Sequence, residues 1–192
     1  MAGIDSVLTR TGDTNPTLAS RGNLAITAKA DFLVSIHCNS FSDATANGIE
    51  VLYGTNATAK DKQLAASILD PLVKVLGLRN RGTKQQELGV LRAAAGVPAC
   101  LVECAFISNP QEAIILGDDA GQETIVEAIA SGIFQFLGVH KLIINGQRVT
   151  DYKMVLIDGT NHIPVRALQL MGFTVDFIPA TGEVRVDTKK GC

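Results

Sequence analysis

The sequence predicts an α/β fold: a mainly parallel sheet with helices on both faces, followed by a small C-terminal β-rich (α+β) domain. Three observations carry this reading. Apolar runs of strand length alternate with longer segments of helical period. Two strands, Asp31–Cys38 and Pro98–Cys104, are apolar nearly throughout, as strands covered on both faces are. After Val139 the pattern changes to short apolar runs separated by dense turn signals.

The elements follow in order. Leu18, Arg21, Leu24, Ala25 and Ala28 recur at helical spacing. In Asp31–Cys38 the alternation puts Phe32, Val34, Ile36 and Cys38 on one face and Leu33, Ser35 and His37 on the other, a strand packed on both sides and open only at its C-terminal end. Gly48–Gly54 is a further strand, and Ala57–Leu76 a long helix with Leu64, Ile68, Leu72 and Leu76 as its stripe and a kink expected at Pro71. Gly77–Gly89 is polar and glycine-punctuated, and reads as a surface loop beside the cleft.

After the second apolar strand, Asn109 supplies an N-cap, Pro110 the first helical position and Glu112 a capping-box acid. The last helix, about Gln122–Leu137, buries Ile125, Ile129 and Ile133 and stops at Gly138. Beyond Val139, Asn145-Gly146 and Asp158-Gly159 mark hairpins, a short helix is expected around Val165–Met171, and a last hairpin turns at Pro179–Gly182. We therefore expect two domains, 1–139 and 140–192.

Composition restricts the function classes. The chain has 192 residues, 46% hydrophobic and 19% charged, enough for one substantial core and a small second one. A net charge of −2 gives no electrostatic reason to expect nucleic acid or an anionic membrane as partner. No apolar run approaches the roughly 18 residues of a spanning helix, so no membrane insertion is expected. Cys38, Cys100 and Cys104 read as small core residues, and zinc-type CxxC pairs are absent. The alternative for Cys38 or Cys104 is a place beside His37 in a metal site.

Chemistry concentrates at two strand ends. His37 closes the first apolar strand and Glu103 the second, and the C-terminal ends of strands are where α/β proteins bind ligands and metals. One imidazole and one carboxylate at adjacent strand ends, within ~8 Å, make half of a metal hydrolase centre. A structural salt bridge from Glu103 to Arg92 is the competing reading, because a buried carboxylate needs a partner. Arg10, Asp13 and Arg21 read as ties between loop and helix; Asn39, Glu50, Lys84 and Arg92 as cleft residues without an assigned role; His140 and His162 as surface or turn residues.

Leu8-Thr-Arg10, Asp13, Arg21, Ala30-Asp31, Ser35-Ile-His-Cys-Asn39, Gly48-Ile-Glu50, Leu88-Gly-Val-Leu-Arg92, Pro98 and Val102-Glu-Cys-Ala-Phe-Ile-Ser-Asn109 are similar, in order and spacing, to the zinc-dependent N-acetylmuramoyl-L-alanine amidases. These are peptidoglycan hydrolases of bacterial cell walls and phage endolysins, and the resemblance runs from about Gly3 to Val139. It implies that His37 is a zinc ligand, that Glu103 is the catalytic carboxylate, that peptidoglycan is the partner, and that the protein acts outside the cell or in its wall. The family's first zinc histidine lies in a Gly-His-Gly-Gly segment and its glutamate ligand on the helix after it, both upstream of the stretch that begins here at Gly3. The resemblance thus implies a chain truncated at its N-terminus with one of three ligands. The expectation that follows is hydrolysis no faster than that of a Glu103→Gln variant, or a non-catalytic wall-binding role. Secretion would then be encoded upstream, or the protein would be a phage lysin released by a holin.

The C-terminal pattern Ile144-Asn-Gly-Gln147, Val155-Leu-Ile-Asp-Gly159, Ile163-Pro-Val-Arg-Ala-Leu168, Met171-Gly172 and Pro179-Ala-Thr-Gly-Glu-Val184 resembles the copper amine oxidase-like N-terminal, or stalk, domain. That resemblance implies an attachment or spacer role, and no histidine cluster here suggests copper.

Overall fold

The computed structural model describes residues 5–138 and, beyond them, the backbone of six short strands. It divides the chain into a larger unit, Asp5–Phe136, and a second unit that holds the C-terminal strands.

The larger unit begins with α1 (Leu18–Thr27), whose N-cap Thr17 accepts a hydrogen bond from the Ser20 N–H. Then come β1 (Leu33–Asn39), β2 (Ile49–Tyr53), α2 (Ala59–Leu76), β3 (Asn80–Gln85), α3 (Gly89–Ala93), β4 (Ala99–Phe106), α4 (Pro110–Gly117) and α5 (Asp119–Phe136). The sheet order is β1-β4-β2-β3. β1 and β4 are parallel, as are β2 and β3, while β4 and β2 meet antiparallel. Two of the three pairings are therefore parallel, and the sheet is mixed.

Each face of the sheet has its own core. On one, Ile49, Val51, Cys100, Val102 and Cys104 pack against Leu64, Ile68 and Leu72 of α2 and Ile125 and Ile129 of α5. The two helices pack closely because Gly132 has no side chain: a Cβ there would lie 2.5 Å from the Ser67 carbonyl oxygen. On the other face Leu52, Ala99 and Leu101 meet Val90, Leu91 and Ala94 of the α3 segment, which packs against α1.

Four differences from the sequence reading have physical causes. β1 is an edge strand, so Ile36, His37 and Cys38 are exposed instead of packed on both sides; Cys38 is not a core residue, whereas Cys100 and Cys104 are. The polar segment after Gly77 contains β3, because an edge strand with only β2 as neighbour tolerates polar side chains. Short α3 was not foreseen; five residues carry too little period to be read. Asn109 caps α4 as expected, accepting from Gln111 N–H and Glu112 N–H, but the Glu112 carboxylate does not close a capping box. It is buried and accepts from Gly48 N–H and Phe106 N–H, both at 2.7 Å, joining the entry of β2 to the end of β4.

In the second unit β5 (Leu142–Ile144) pairs antiparallel with β6 (Gln147–Val149), β7 (Val155–Ile157) with β8 (Thr160–His162), and β9 (Thr174–Ile178) with β10 (Glu183–Asp187). These pairs flank the three turn signals of the sequence. The helix expected around Val165–Met171, and His140, lie outside the described residues.

Candidate active site

β1 and β4 place His37 and Glu103 as direct register partners. Adjacent strands lie about 4.8 Å apart and partners project from the same face, so imidazole and carboxylate stand side by side. Across the antiparallel junction Glu103 is in turn the register partner of Glu50. His37, Glu103 and Glu50 thus form one row across three strands. It continues the face that, one row further along, is apolar at Leu101 and Leu52 beneath α3. Helix cover ends where the polar row begins.

The members of the row differ in what they hold. His37 Nε2 lies 3.1 Å from Ser35 Oγ, and although the residue is exposed at the sheet edge, partial desolvation of the ring followed by the Arg21 charge lowers the pKa of the imidazole and favours its neutral form. Glu103 Oε2 is buried and has no hydrogen-bond partner. Burial, with the neighbouring Glu50 charge adding to it, raises the Glu103 pKa to about 7. Glu50 is fully engaged: Oε1 accepts from Asn39 Nδ2 at 3.1 Å, and Oε2 accepts from Arg81 Nε at 2.7 Å and from Lys84 Nζ. Burial alone would raise its pKa, but the Lys84 and Arg81 interactions outweigh that and lower it.

The other expected residues fall into place around the row. Arg21 donates to the Pro16 carbonyl and to Asn15 and so ties the N-terminal loop to α1, whereas Arg10 donates to the Thr14 carbonyl within the loop itself. Arg92 does not reach Glu103; it pairs with Glu87 at 2.6 Å on the surface. Among the described residues no ion pair reaches Glu103, so the salt bridge to Arg92 is not formed. Arg81 was missed in the sequence. The signal was Glu50 itself, since a carboxylate at the centre of a sheet must be neutralised from a neighbouring strand.

Two cavities bear on the placement of these residues. One of about 630 Å³ wraps the exposed edge strand and includes Arg10, Arg21, Ser35, His37 and Cys38. The other, about 570 Å³, lies between Gly54–Asp61 and Glu87–Pro98, beyond the opposite end of β4, and contains neither His37 nor Glu103. His37 lines the first, and Glu103 lines neither.

Residues 1–135 match the family described as N-acetylmuramoyl-L-alanine amidase. The chain belongs to this amidase family. It is 36% identical over 131 residues to the N-acetylmuramoyl-L-alanine amidase LytC of Bacillus subtilis, covering 68% of this chain and 26% of that protein. It is 33% identical over 137 residues to an endolysin of Bacillus phage SPP1, covering 70% of this chain and 50% of that protein. The crystal structure of an N-acetylmuramoyl-L-alanine amidase from Clostridium difficile 630 superposes with a TM-score of 0.64 at 36% identity, over 67% of this chain and 69% of that one. The chain therefore spans a quarter to a half of these two curated relatives.

A catalytic zinc takes three protein ligands and an open position. Among the described residues no group of three or more His, Cys, Asp or Glu side chains is placed to hold a metal ion. What the amidase unit does offer fits part of such a centre: a neutral imidazole at an open sheet edge, beside a carboxylate with an unengaged oxygen. No helix among the described residues is long and apolar enough to cross a membrane.

Proposed function

We propose that this amidase-family unit hydrolyses peptidoglycan at the amide joining N-acetylmuramic acid to L-alanine of the stem peptide, at the cell wall or outside the cell. His37 is a zinc ligand in this reading, Glu103 is the catalytic carboxylate, and the remaining ligands come from outside the described residues. The observation that carries it is the His37–Glu103 register pair, with one Glu103 oxygen buried and unpartnered. A bound zinc would supply Lewis acidity toward the amide carbonyl and toward water. Glu103, protonating near neutrality, takes a proton from the attacking water and returns it to the departing L-alanine nitrogen. The amide nitrogen is a poor leaving group until it receives that proton.

The second unit, in this reading, is a stalk-like module that spaces or attaches the amidase unit, with the division falling at about residues 139–140. The six strands and the sequence pattern support it.

The test is release of peptides with free L-alanine N-termini from purified peptidoglycan in the presence of zinc. Release by a form that carries the complete ligand set, and none by that form with Glu103→Gln, is the expected result, with the chain as given releasing no more than its own Glu103→Gln variant. The incomplete ligand set among the described residues favours one competing reading, a wall-binding protein without turnover. Binding to sacculi with equal, background release by the ligand-complete form and its Glu103→Gln variant would establish that reading and sink the hydrolase.

A further inference from the structure

Lys84 stands out because it is the second and more exposed cation on a carboxylate that Arg81 also holds. Glu50 Oε2 already accepts from Arg81 Nε, and Oε1 from Asn39, so Lys84 brings a second cation to one carboxylate. Arg81 is well held without it: the guanidinium donates to the Asn47 carbonyl oxygen and lies 4.9 Å from the centre of the Phe106 ring. Lys84 has Glu50 alone among these bonds, and its side chain is 43% exposed against 10% for Glu50. An ammonium has three N–H donors, and one is used here. The cluster of one carboxylate and two cations leaves a positive charge at its solvent side.

That charge faces the site. Lys84 is the register partner of Leu52, which is the partner of Leu101, so it shares the face on which Glu50, Glu103 and His37 lie. Its ammonium is one hydrogen bond from Glu50, and Glu50 is one strand from Glu103. Antiparallel partners are about 5 Å apart, which puts the ammonium on the order of 7 Å from Glu103 once the hydrogen bond is added. Two residues of extended peptide span about 7 Å. With the scissile amide over His37 and Glu103 and the stem peptide running across the sheet toward β3, the charge comes within reach of its second residue.

Resting on the amidase reading above, we propose that Lys84 is a specificity-determining residue that binds the free carboxylate carried by the second residue of the stem peptide, with Glu50, Arg81 and Asn39 holding it in position. In walls where that carboxylate is amidated the ammonium is left with Glu50 as its anionic partner and gains none from the peptide. The site would therefore discriminate between free-acid and amidated stem peptides.

The experiment compares two soluble muropeptides, identical except for a free or amidated carboxylate at the second residue, in hydrolysis by the full chain and in direct binding to its Glu103→Gln form. The free-acid peptide should be preferred about tenfold, the worth of one hydrogen bond between charged groups. Lys84→Met should erase the preference, chiefly through KM and Kd, and Lys84→Arg should restore most of it. Equal treatment of the two peptides by the unaltered chain would overturn the proposal even if Lys84→Met fails to fold. So would a Lys84→Met loss of the same size on both. Carboxylate-selective, Lys84-dependent binding with no hydrolysis would keep this proposal and defeat the amidase reading, whereas hydrolysis indifferent to the carboxylate would do the reverse.

Discussion

Glu50 and Glu103 face one another as register partners across the antiparallel junction of β2 and β4, and only Glu50 is neutralised. Arg81 and Lys84 crowd onto Glu50, while Glu103 keeps a buried oxygen with no partner. A folded protein gains nothing in stability from such an oxygen. The pair therefore divides into a carboxylate that holds the sheet together and one left with an unengaged oxygen, the feature on which the proposed proton transfer rests.

Glu103 should cost stability at neutral pH. Its folded pKa, about 7, lies above the ordinary carboxylate value, so ionisation is resisted in the folded state and stability falls as pH rises between the two. The full shift corresponds to about 3 kcal/mol, reduced to roughly 1–2 kcal/mol because the group is half exposed and screened. In metal-free protein, Glu103→Gln should match the parent near pH 4 and melt at a higher temperature above pH 7. A melting-temperature difference independent of pH would contradict the assignment.

Glu50 should show the opposite sign. Its folded pKa is depressed, so its contribution is present above the ordinary carboxylate range and disappears as pH falls through the folded value. Glu50→Gln leaves Arg81 and Lys84 facing each other without an anion. About 2 kcal/mol of destabilisation is expected at pH 7, since the carboxylate is nearly buried but its partners are partly exposed. Denaturant melts across pH should show the difference shrinking in acid.

Glu112 is a structural staple, and its removal should be more damaging than that of either site carboxylate. Glu112→Ala strands the buried Gly48 and Phe106 N–H groups, at about 3 kcal/mol for two charge-assisted bonds. In a chain of this size that lowers the melting temperature by roughly 6–12 °C. Glu112→Gln, which keeps an acceptor, should lose less than half as much. Hydrogen exchange at Gly48 and Phe106 reads the same event directly.

The strands that carry His37 and Glu103 were legible because a parallel pair of apolar strands leaves a strong pattern, and their polar ends stand out against it. What was not legible was lateral order. No residue in Leu33–Asn39 says that β1 lies at the edge, because the same alternation serves an edge or an inner strand until its neighbours are known. The polar row needed the antiparallel β2–β4 junction, which brings Glu50 opposite Glu103 from a distance of 53 positions in the chain. Glu112 was read as a local cap because its partners, Gly48 and Phe106, become neighbours only in the folded sheet.

His37 and Glu103 should separate metal binding from turnover. His37 is the one ring nitrogen donor in the row, and its depressed pKa leaves that lone pair available at neutral pH. Removing it in His37→Ala takes away a ligand, so zinc uptake measured by dialysis and metal analysis should fall, and any hydrolysis should fall with it. Glu103→Gln keeps the shape and an acceptor oxygen but cannot carry a proton between water and the leaving nitrogen. Loss of a positioned acid–base group removes about 10²–10⁴ in rate, so turnover should drop by that order while zinc uptake stays close to that of the parent. Equal zinc loss in the two variants would make Glu103 a ligand instead of the proton carrier, and undiminished zinc uptake by His37→Ala would remove His37 from the metal site.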